Sequence, residues 1–315
     1  MDTETQISVI TPSYNRAHTL IRVYECLKKQ TFKDFIWIIM DDGSKDNTRE
    51  LIESFQKENV LEIQYYYHDN KGKFITVFKG VEKVKTPYFV VIDSDDSWPE
   101  DSFQILYDEV SSIENKDEFI AVMGNSVDED GKLIGSLYPG NGFIGSILEM
   151  RYKYKVRGDK SGIFITNTYQ KELAKFDYTI YEGKGHIPQS VLYNIYDAKG
   201  LKTKFINKNI RNYLKDVNDP ISLDNTLWFD TNAFGLRAGY LSFVNDYNAL
   251  LYAYPVPLIR NIIGYHYYSF INKTPLLSIL KDIKNPIFKT ISVFTLPFSY
   301  VYYLIKTMKK RPFII

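Results

Sequence analysis

The sequence predicts an α/β fold: a mostly parallel sheet flanked by helices, followed by a helical, aromatic-rich carboxyl-terminal region. Three observations predict it. Short apolar runs alternate with helix-period patterns through the first hundred residues. The second and fourth runs are apolar at every position rather than at alternate ones, as strands covered on both faces require. Each run also gives way to polar or acidic residues, at the one edge where such sheets bind ligands.

The elements follow in order. Residues 7–10 form the first apolar run, and Leu20, Val23, Tyr24 and Leu27 fall on one helical stripe after it. Cys26 lies in that helix as a small packing residue. Residues 35–40 are a second strand, and 46–56 a helix with Leu51, Ile52 and Phe55 inward. Residues 61–67 are a third strand, 73–84 a third helix and 88–92 a fourth strand. Residues 99–113 are a helix with Pro99 in its first turn. This spacing implies right-handed crossovers. Beyond residue 115 the pattern loosens. Residues 119–125 read as a strand, Asp128-Glu129-Asp130-Gly131 as an exposed hairpin turn, and 150–215 as short mixed elements. From Leu223 helical and aromatic segments dominate.

Bulk properties narrow the function. The chain has 315 residues, 44% hydrophobic and 24% charged, an ordinary globular composition. A net charge of +1 argues against a nucleic-acid binder that works by neutralising phosphates. With Cys26 the only cysteine, neither an intrachain disulfide nor a multi-cysteine zinc site can form, and a reducing compartment fits. The polar, acidic start runs straight into the first strand, so no signal peptide is expected. The four histidines, His18, His68, His186 and His266, form no spaced pair, and His186 reads as a loop or packing residue.

The strand-end segments carry the chemistry. They are Thr11-Pro12-Ser13-Tyr14-Asn15, Asp41-Asp42-Gly43-Ser44, His68-Asp69-Asn70-Lys71-Gly72 and Asp93-Ser94-Asp95-Asp96. Two carboxylates about 4 Å apart repel by roughly 4 kcal/mol at an effective dielectric of 20. A hard divalent cation, Mn²⁺ or Mg²⁺, offsets that repulsion at Asp93, Asp95 and Asp96 and neutralises a departing diphosphate. Asp96 and Ser97 also suit a cap for the helix near Pro99. Asp128 and Asp130 repeat the Asp-x-Asp spacing but flank a turn, so they read as solvated. Asp41 and Asp42 offer acceptors to a base N–H such as the uracil imide, and Ser44 or Asp46 suits a helix cap. Lys73 opens a helix, where a cation is disfavoured by the dipole unless an anionic partner is present.

Four segments in order, Val9-Ile10-Thr11-Pro12-Ser13-Tyr14-Asn15-Arg16, Asp41-Asp42-Gly43-Ser44-Lys45-Asp46, Asn70-Lys71-Gly72-Lys73 and Asp93-Ser94-Asp95-Asp96-Ser97-Trp98, resemble glycosyltransferase family 2. The resemblance is strong over residues 6–112 and weaker to about 215. It implies a GT-A fold with a Rossmann-like sheet and inverting chemistry. A nucleotide-sugar half would occupy 1–115, an acceptor half 116–222, and a helical region 223–315. Pro12 and Tyr14 would line the nucleotide pocket, Asp42 would hydrogen-bond uracil with Asp41 beside it, and Lys73 would approach the nucleotide. Asp93 and Asp95 match the Asp-x-Asp that holds ribose and metal, and Asp95 and Asp96 are the metal-ligand candidates. Gly158-Asp159-Lys160 and Tyr181-Glu182-Gly183-Lys184-Gly185-His186-Ile187-Pro188-Gln189 resemble the region of acceptor contacts and base. Lys184 and Gln189 stand where the family has acidic residues, which leaves Glu182 first and Asp159 second as candidate base.

Residues 290–305 carry no charge, contain Pro297, and precede Lys306, Lys309, Lys310 and Arg311. They are short for a bilayer span and suit an interfacial helix pair over 286–311, its basic end meeting anionic headgroups at about 1 kcal/mol per cation. Tyr265 to Phe270 would extend that surface; a soluble helix or dimer contact is the alternative.

The expected function is hexosyl or N-acetylhexosaminyl transfer from a UDP-sugar to a glycan or polyprenyl-linked acceptor. The expected setting is capsule or other surface polysaccharide synthesis at the cytoplasmic face of the membrane. A catalytically impaired nucleotide-sugar-binding subunit is the alternative. A nucleotidyltransferase would want a Gly-rich basic loop after the first strand, and Thr11 to Arg16 is not one.

Overall fold

In a computed structural model, which describes residues 5–214, 232–247, 252 and 254–308, the first run becomes strand β1 (Ile7–Ser13) and leads into helix α1 (Ala17–Lys29). β2 (Phe35–Asp41), α2 (Thr48–Glu58), β3 (Ile63–Tyr67), α3 (Lys73–Lys83), β4 (Tyr88–Val91) and α4 (Ser102–Ser111) follow. β5 (Phe119–Val127), β6 (Phe143–Gly145), α5 (Ile147–Tyr152), β7 (Lys160–Ile165), α6 (Thr166–Leu173), α7 (Ser190–Ala198) and β8 (Lys202–Asn212) continue the chain. α8 (Ala233–Asp246), α9 (Pro255–Ile271), α10 (Leu276–Asp282) and α11 (Pro286–Met308) complete it.

The described residues form two compact units. One holds the chain up to Gly183 together with β8; the other holds Lys184–Gly200 and the helices after residue 232. The first unit is built on one eight-stranded sheet in the order β3-β2-β1-β4-β7-β5-β8-β6. β3, β2, β1 and β4 are parallel, β7 runs antiparallel to both its neighbours, and β5 pairs parallel with β8. The carboxyl ends of β1, β2, β3, β4, β5 and β8 therefore share one edge, and the start of β7 joins them.

Burial explains the helix patterns. On one face Leu20, Val23 and Leu27 of α1, Ile52 and Phe55 of α2 and Phe103, Leu106 and Val110 of α4 pack on Val9, Trp37, Ile39 and Val90. Tyr24 stacks on Phe55 with ring centroids 3.9 Å apart, and the Trp37 indole N–H donates to Thr11 Oγ1 at 2.9 Å. On the other face α3 comes so close that a Cβ on Gly80 would stand 2.7 Å from Ile10 Cγ2. α4 begins at Ser102, not Pro99, because residues 99–101 hold α1: Gln30 Nε2 donates to the Pro99 carbonyl at 2.8 Å and Thr31 N to that of Glu100 at 2.8 Å. The hairpin at Asp128 closes as expected, with Asp128 N donating to the Lys132 carbonyl at 2.9 Å.

In the second unit α9 lies between α8 and α11. Tyr265, Tyr267 and Tyr268 are buried, which corrects the expectation that Tyr265 to Phe270 extends an exposed surface. Their rings fill the interior of this helical unit: Tyr240 stacks on Tyr268, and Tyr267 meets Tyr302 and Tyr303. A second correction concerns 286–308, which is one helix rather than a pair. His266 of α9 bonds Ser292 and Ser299, one on each side of Pro297, and so splints α11 where the proline lacks its N–H. Among the described residues no helix is long and apolar enough to cross a membrane. Lys309, Lys310 and Arg311 lie outside the described residues.

Candidate functional site

Three loops at the shared edge are knit together by side chains on backbone N–H groups. Asn15, at a φ of 52°, accepts from Lys45 N at 2.8 Å, and its own N donates to Ser44 Oγ at 2.9 Å. Asp46 accepts from Ala17 N at 3.1 Å, the first residue of α1, and from Thr48 N at 3.2 Å. One carboxylate thus serves two helix starts, where the dipole favours it. Asp41 accepts from Ser44 N at 2.8 Å and from the Tyr65 hydroxyl at 2.7 Å. Asp42, 4% exposed, accepts from Lys71 N at 2.7 Å and Gly72 N at 3.0 Å. Burial pushes its carboxyl up, against those two N–H groups. Gly43 is required where it stands: its φ is 84°, and a Cβ would lie 2.7 Å from Asn70 N. Pro12 is buried within β1, and Tyr14, half-buried, stands just past its end.

The loop after β4 is clamped from α1. Cys26 Sγ accepts from Trp98 N at 3.1 Å and donates to the Trp98 carbonyl at 3.2 Å, while Gln30 holds Pro99 and Phe103 N. The sequence reading gave Cys26 only a packing role; its thiol also fixes the loop that carries the carboxylates. From the other side Asn212 N of β8 donates to the Ser97 carbonyl at 2.8 Å.

Held in this way, ligand oxygens of Asp93, Asp95 and Asp96 lie within 4.8 Å of one another. Three cations face them. Lys73 Nζ is 2.7 Å from Asp93, Arg16 Nη2 is 3.8 Å from Asp95, and Arg211 Nε is 2.6 Å from Asp96. The carboxyls respond differently. Burial works against the charge of Asp93, but Lys73, then Arg211 and Arg16, hold its carboxyl below the usual range. Asp95 is pushed up by burial and by Asp93, with Lys73 and Arg16 opposing. For the Asp96–Arg211 pair the two partners pull opposite ways. Burial pushes the Asp96 carboxyl up, while Asp96 holds the buried guanidinium more firmly charged than usual. Contact at 2.6 Å decides for the ionised pair. The Nε–H is off the line a hydrogen bond needs, so that contact is purely one of charge; the hydrogen bond runs from Nη2 to Oδ1 at 3.1 Å.

Asp95 is left with the weakest local counter-charge and a side chain 32% exposed. An all-oxygen donor set with one under-compensated, accessible carboxylate fits Mg²⁺ or Mn²⁺, which bind through one or two carboxylates and complete their shell with water and phosphate.

The two candidate bases part company. Asp159 is brought to the cluster, its Oδ2 3.4 Å from Arg211 Nη1. Glu182 sits instead on the β3–α3 loop, 2.6 Å from Lys71 Nζ, and that bond lowers its pKa. Lys184 and Gln189 belong to the second unit, where Lys184 lies over the Phe234 ring and Gln189 accepts from the Tyr193 hydroxyl. Sequence reasoning missed Arg211 and gave Arg16 and Lys160 no role of their own, each standing only within a motif. Arg211 follows Ile210 near the end of β8, paired with Ser126. Lys160 donates to Asn125 Oδ1 at 2.7 Å and the Ser136 carbonyl at 2.8 Å, and burial lowers its pKa to about 8.

A family model described as Glycosyl transferase family 2 matches residues 8–168, half of the chain. The chain belongs to glycosyltransferase family 2. An uncharacterized glycosyltransferase of Rickettsia felis is 32% identical over 137 residues, covering 44% of this chain and only 22% of that protein. The GalNAc(5)-diNAcBac-PP-undecaprenol beta-1,3-glucosyltransferase of Campylobacter jejuni is 25% identical over 243 residues, 75% of this chain and 72% of that one. In three dimensions this family 2 chain resembles residues 1–349 of S. aureus TarS, crystallised with UDP-GlcNAc. The TM-score is 0.63 at 13% identity, over 98% of this chain and 93% of that one. That likeness extends to the fold, and the sheet with its flanking helices is of the GT-A type.

Proposed function

We propose that this protein transfers a sugar, with inversion, from a UDP-sugar to a hydroxyl of a glycan or polyprenyl-linked acceptor in surface polysaccharide synthesis. The observation that carries the proposal is the convergence of Asp93, Asp95 and Asp96 at the carboxyl edge of β4, beside the loops of Asp42 and Lys73. The donor class is supported by TarS, which holds UDP-GlcNAc, and the acceptor class by the C. jejuni relative, whose name includes a PP-undecaprenol-linked glycan.

In this reading a divalent ion, when bound at the cluster, supplies Lewis-acid neutralisation of the leaving diphosphate. Asp95 and Asp93 would hold it, with Asp96 beside them. Lys73, half exposed on its helix, turns from Asp93 to the phosphates. Tyr14 lies against the base, Pro12 backs the pocket, and Asp41 and Asp42 shape the loops that receive the uracil. Asp159 takes the acceptor hydroxyl proton, the hydroxyl oxygen bonds to the anomeric carbon, and the bond from that carbon to the β-phosphate oxygen breaks to release UDP. Asp159 is preferred to Glu182 because its partner Arg211 also holds the carboxylate cluster, whereas Glu182 is engaged by Lys71 of the β3–α3 loop.

Residues 286–308 are proposed to lie on an anionic membrane surface at its cytoplasmic face. Phe294 and Phe298 are 72% and 75% exposed, and the helix carries Lys289 and Lys306 and no acid.

A second reading, a nucleotide-sugar-binding subunit without transfer activity, is favoured by Lys184 and Gln189. The discriminating assay is UDP release from a panel of UDP-sugars with Mn²⁺. Transferase or hydrolase turnover from one donor is expected; donor binding with no UDP released would establish the binding subunit instead.

A further inference from the structure

We propose that Arg211 is a positioning residue of the donor site: it holds Asp96 out of the metal's coordination and leaves Asp93 and Asp95 to meet the ion. The inference rests on the reading of this edge as a metal-dependent nucleotide-sugar site. It departs from the sequence alone, which makes Asp96 a ligand equal to Asp95.

The cations of the cluster differ in freedom. Lys73 is a half-exposed side chain on a flexible stem, and it can leave Asp93 when phosphate arrives. Arg211 cannot leave Asp96. It is 8% exposed and Asp96 is 2% exposed. Its Nε and Nη2 face the two oxygens of Asp96, its Nη1 reaches Asp159, and the guanidinium lies 5.0 Å from the Tyr213 ring centroid. Separating the pair would strand a buried charge on each side. An ion bound to either Asp96 oxygen would meet a fixed positive charge next to its ligand. Asp93 and Asp95, with side chains 26% and 32% exposed, are the carboxylates an entering ion can reach. Asp96 therefore shapes the turn, donating its backbone N–H to the Asp93 carbonyl at 3.1 Å, while Arg211 ties that turn to β8 and to Asp159.

The test is Mn²⁺ uptake by the full chain in the presence of UDP, followed by the electron paramagnetic resonance signal of free Mn²⁺. The variants are Asp95→Asn, Arg211→Met, Arg211→Lys and the double variant Asp96→Asn with Arg211→Met. The double variant removes the ion pair as a neutral unit, and its affinity is expected within about threefold of wild type. Asp95→Asn is expected to lose about a hundredfold, and Arg211→Met alone, which frees Asp96, to lower affinity by about tenfold, with Arg211→Lys, which keeps the charge but not the fork, recovering only part of it. A double variant as defective as Asp95→Asn would make Asp96 a ligand and overturn the proposal. If the double variant does not fold, equal affinities for wild type, Arg211→Met and Arg211→Lys would overturn it. Wild-type protein that takes up no Mn²⁺ with UDP present sinks the donor-site reading itself, and the proposal with it.

Discussion

Asp159 and Glu182 have the same chemistry and different neighbours. Both are exposed, but Asp159 stands beside a buried arginine that also holds the carboxylate cluster, whereas Glu182 is a partner of Lys71. Side chains that take a proton in the transition state contribute about 10²–10⁴ in rate. Asp159→Asn is therefore expected to lower kcat for sugar transfer by about a hundredfold or more, and Glu182→Gln by no more than about threefold. Rates from initial UDP release would check this, and the reverse ranking would move the base to Glu182. Neither role is legible from residue type alone. The sequence puts Glu182 first and Asp159 second, and it is the long-range placement of Arg211 and Lys71 that favours the other order.

Among the elements, α9 and α11 hold a buried histidine with both ring nitrogens engaged. Ser299 donates to the Thr295 carbonyl at 2.9 Å, so its oxygen accepts from His266 Nδ1–H, and Nε2 accepts from Ser292. Burial lowers the His266 pKa to about 4 from its ordinary 6.5. The unfolded chain then binds the proton first as pH falls. The contribution is complete above pH 6.5 and is lost as pH drops through 4, about 3 kcal/mol in all. Thermal unfolding between pH 7 and 4 should show a steeper loss of stability in wild type than in His266→Gln; parallel curves would remove this role. The same scale shows what sequence patterning could supply. β4 and all but the last residue of β2 are apolar and were legible as buried strands, and the acidic loop after β4 was legible because it ends one. β8 was not, since Lys202, Lys204, Asn207, Lys208, Asn209 and Arg211 dilute its apolar pattern and only pairing with β5 reveals it. Tyr265 to Phe270 misled because an aromatic run reads alike whether a partner helix covers it or lipid does.

At the scale of the whole molecule, two surfaces define the account: the carboxylate edge of the sheet and the apolar face of α11. Replacing Phe294 and Phe298 by Ser should reduce sedimentation with vesicles containing anionic lipid by about tenfold, with little change in UDP binding. Unchanged sedimentation would remove the membrane role, and a wild-type dimer that the same changes dissociate would assign the face to a second copy instead. The central claim is that strand-end carboxylates and a divalent ion together hold a nucleotide diphosphate sugar. Calorimetry of UDP-sugar binding to wild type and Asp95→Ala, with Mn²⁺ and with chelator, tests it most directly. Tight binding by wild type only with Mn²⁺, and a loss of about a hundredfold in the variant, is the predicted result. Equal affinity in all four conditions would contradict it.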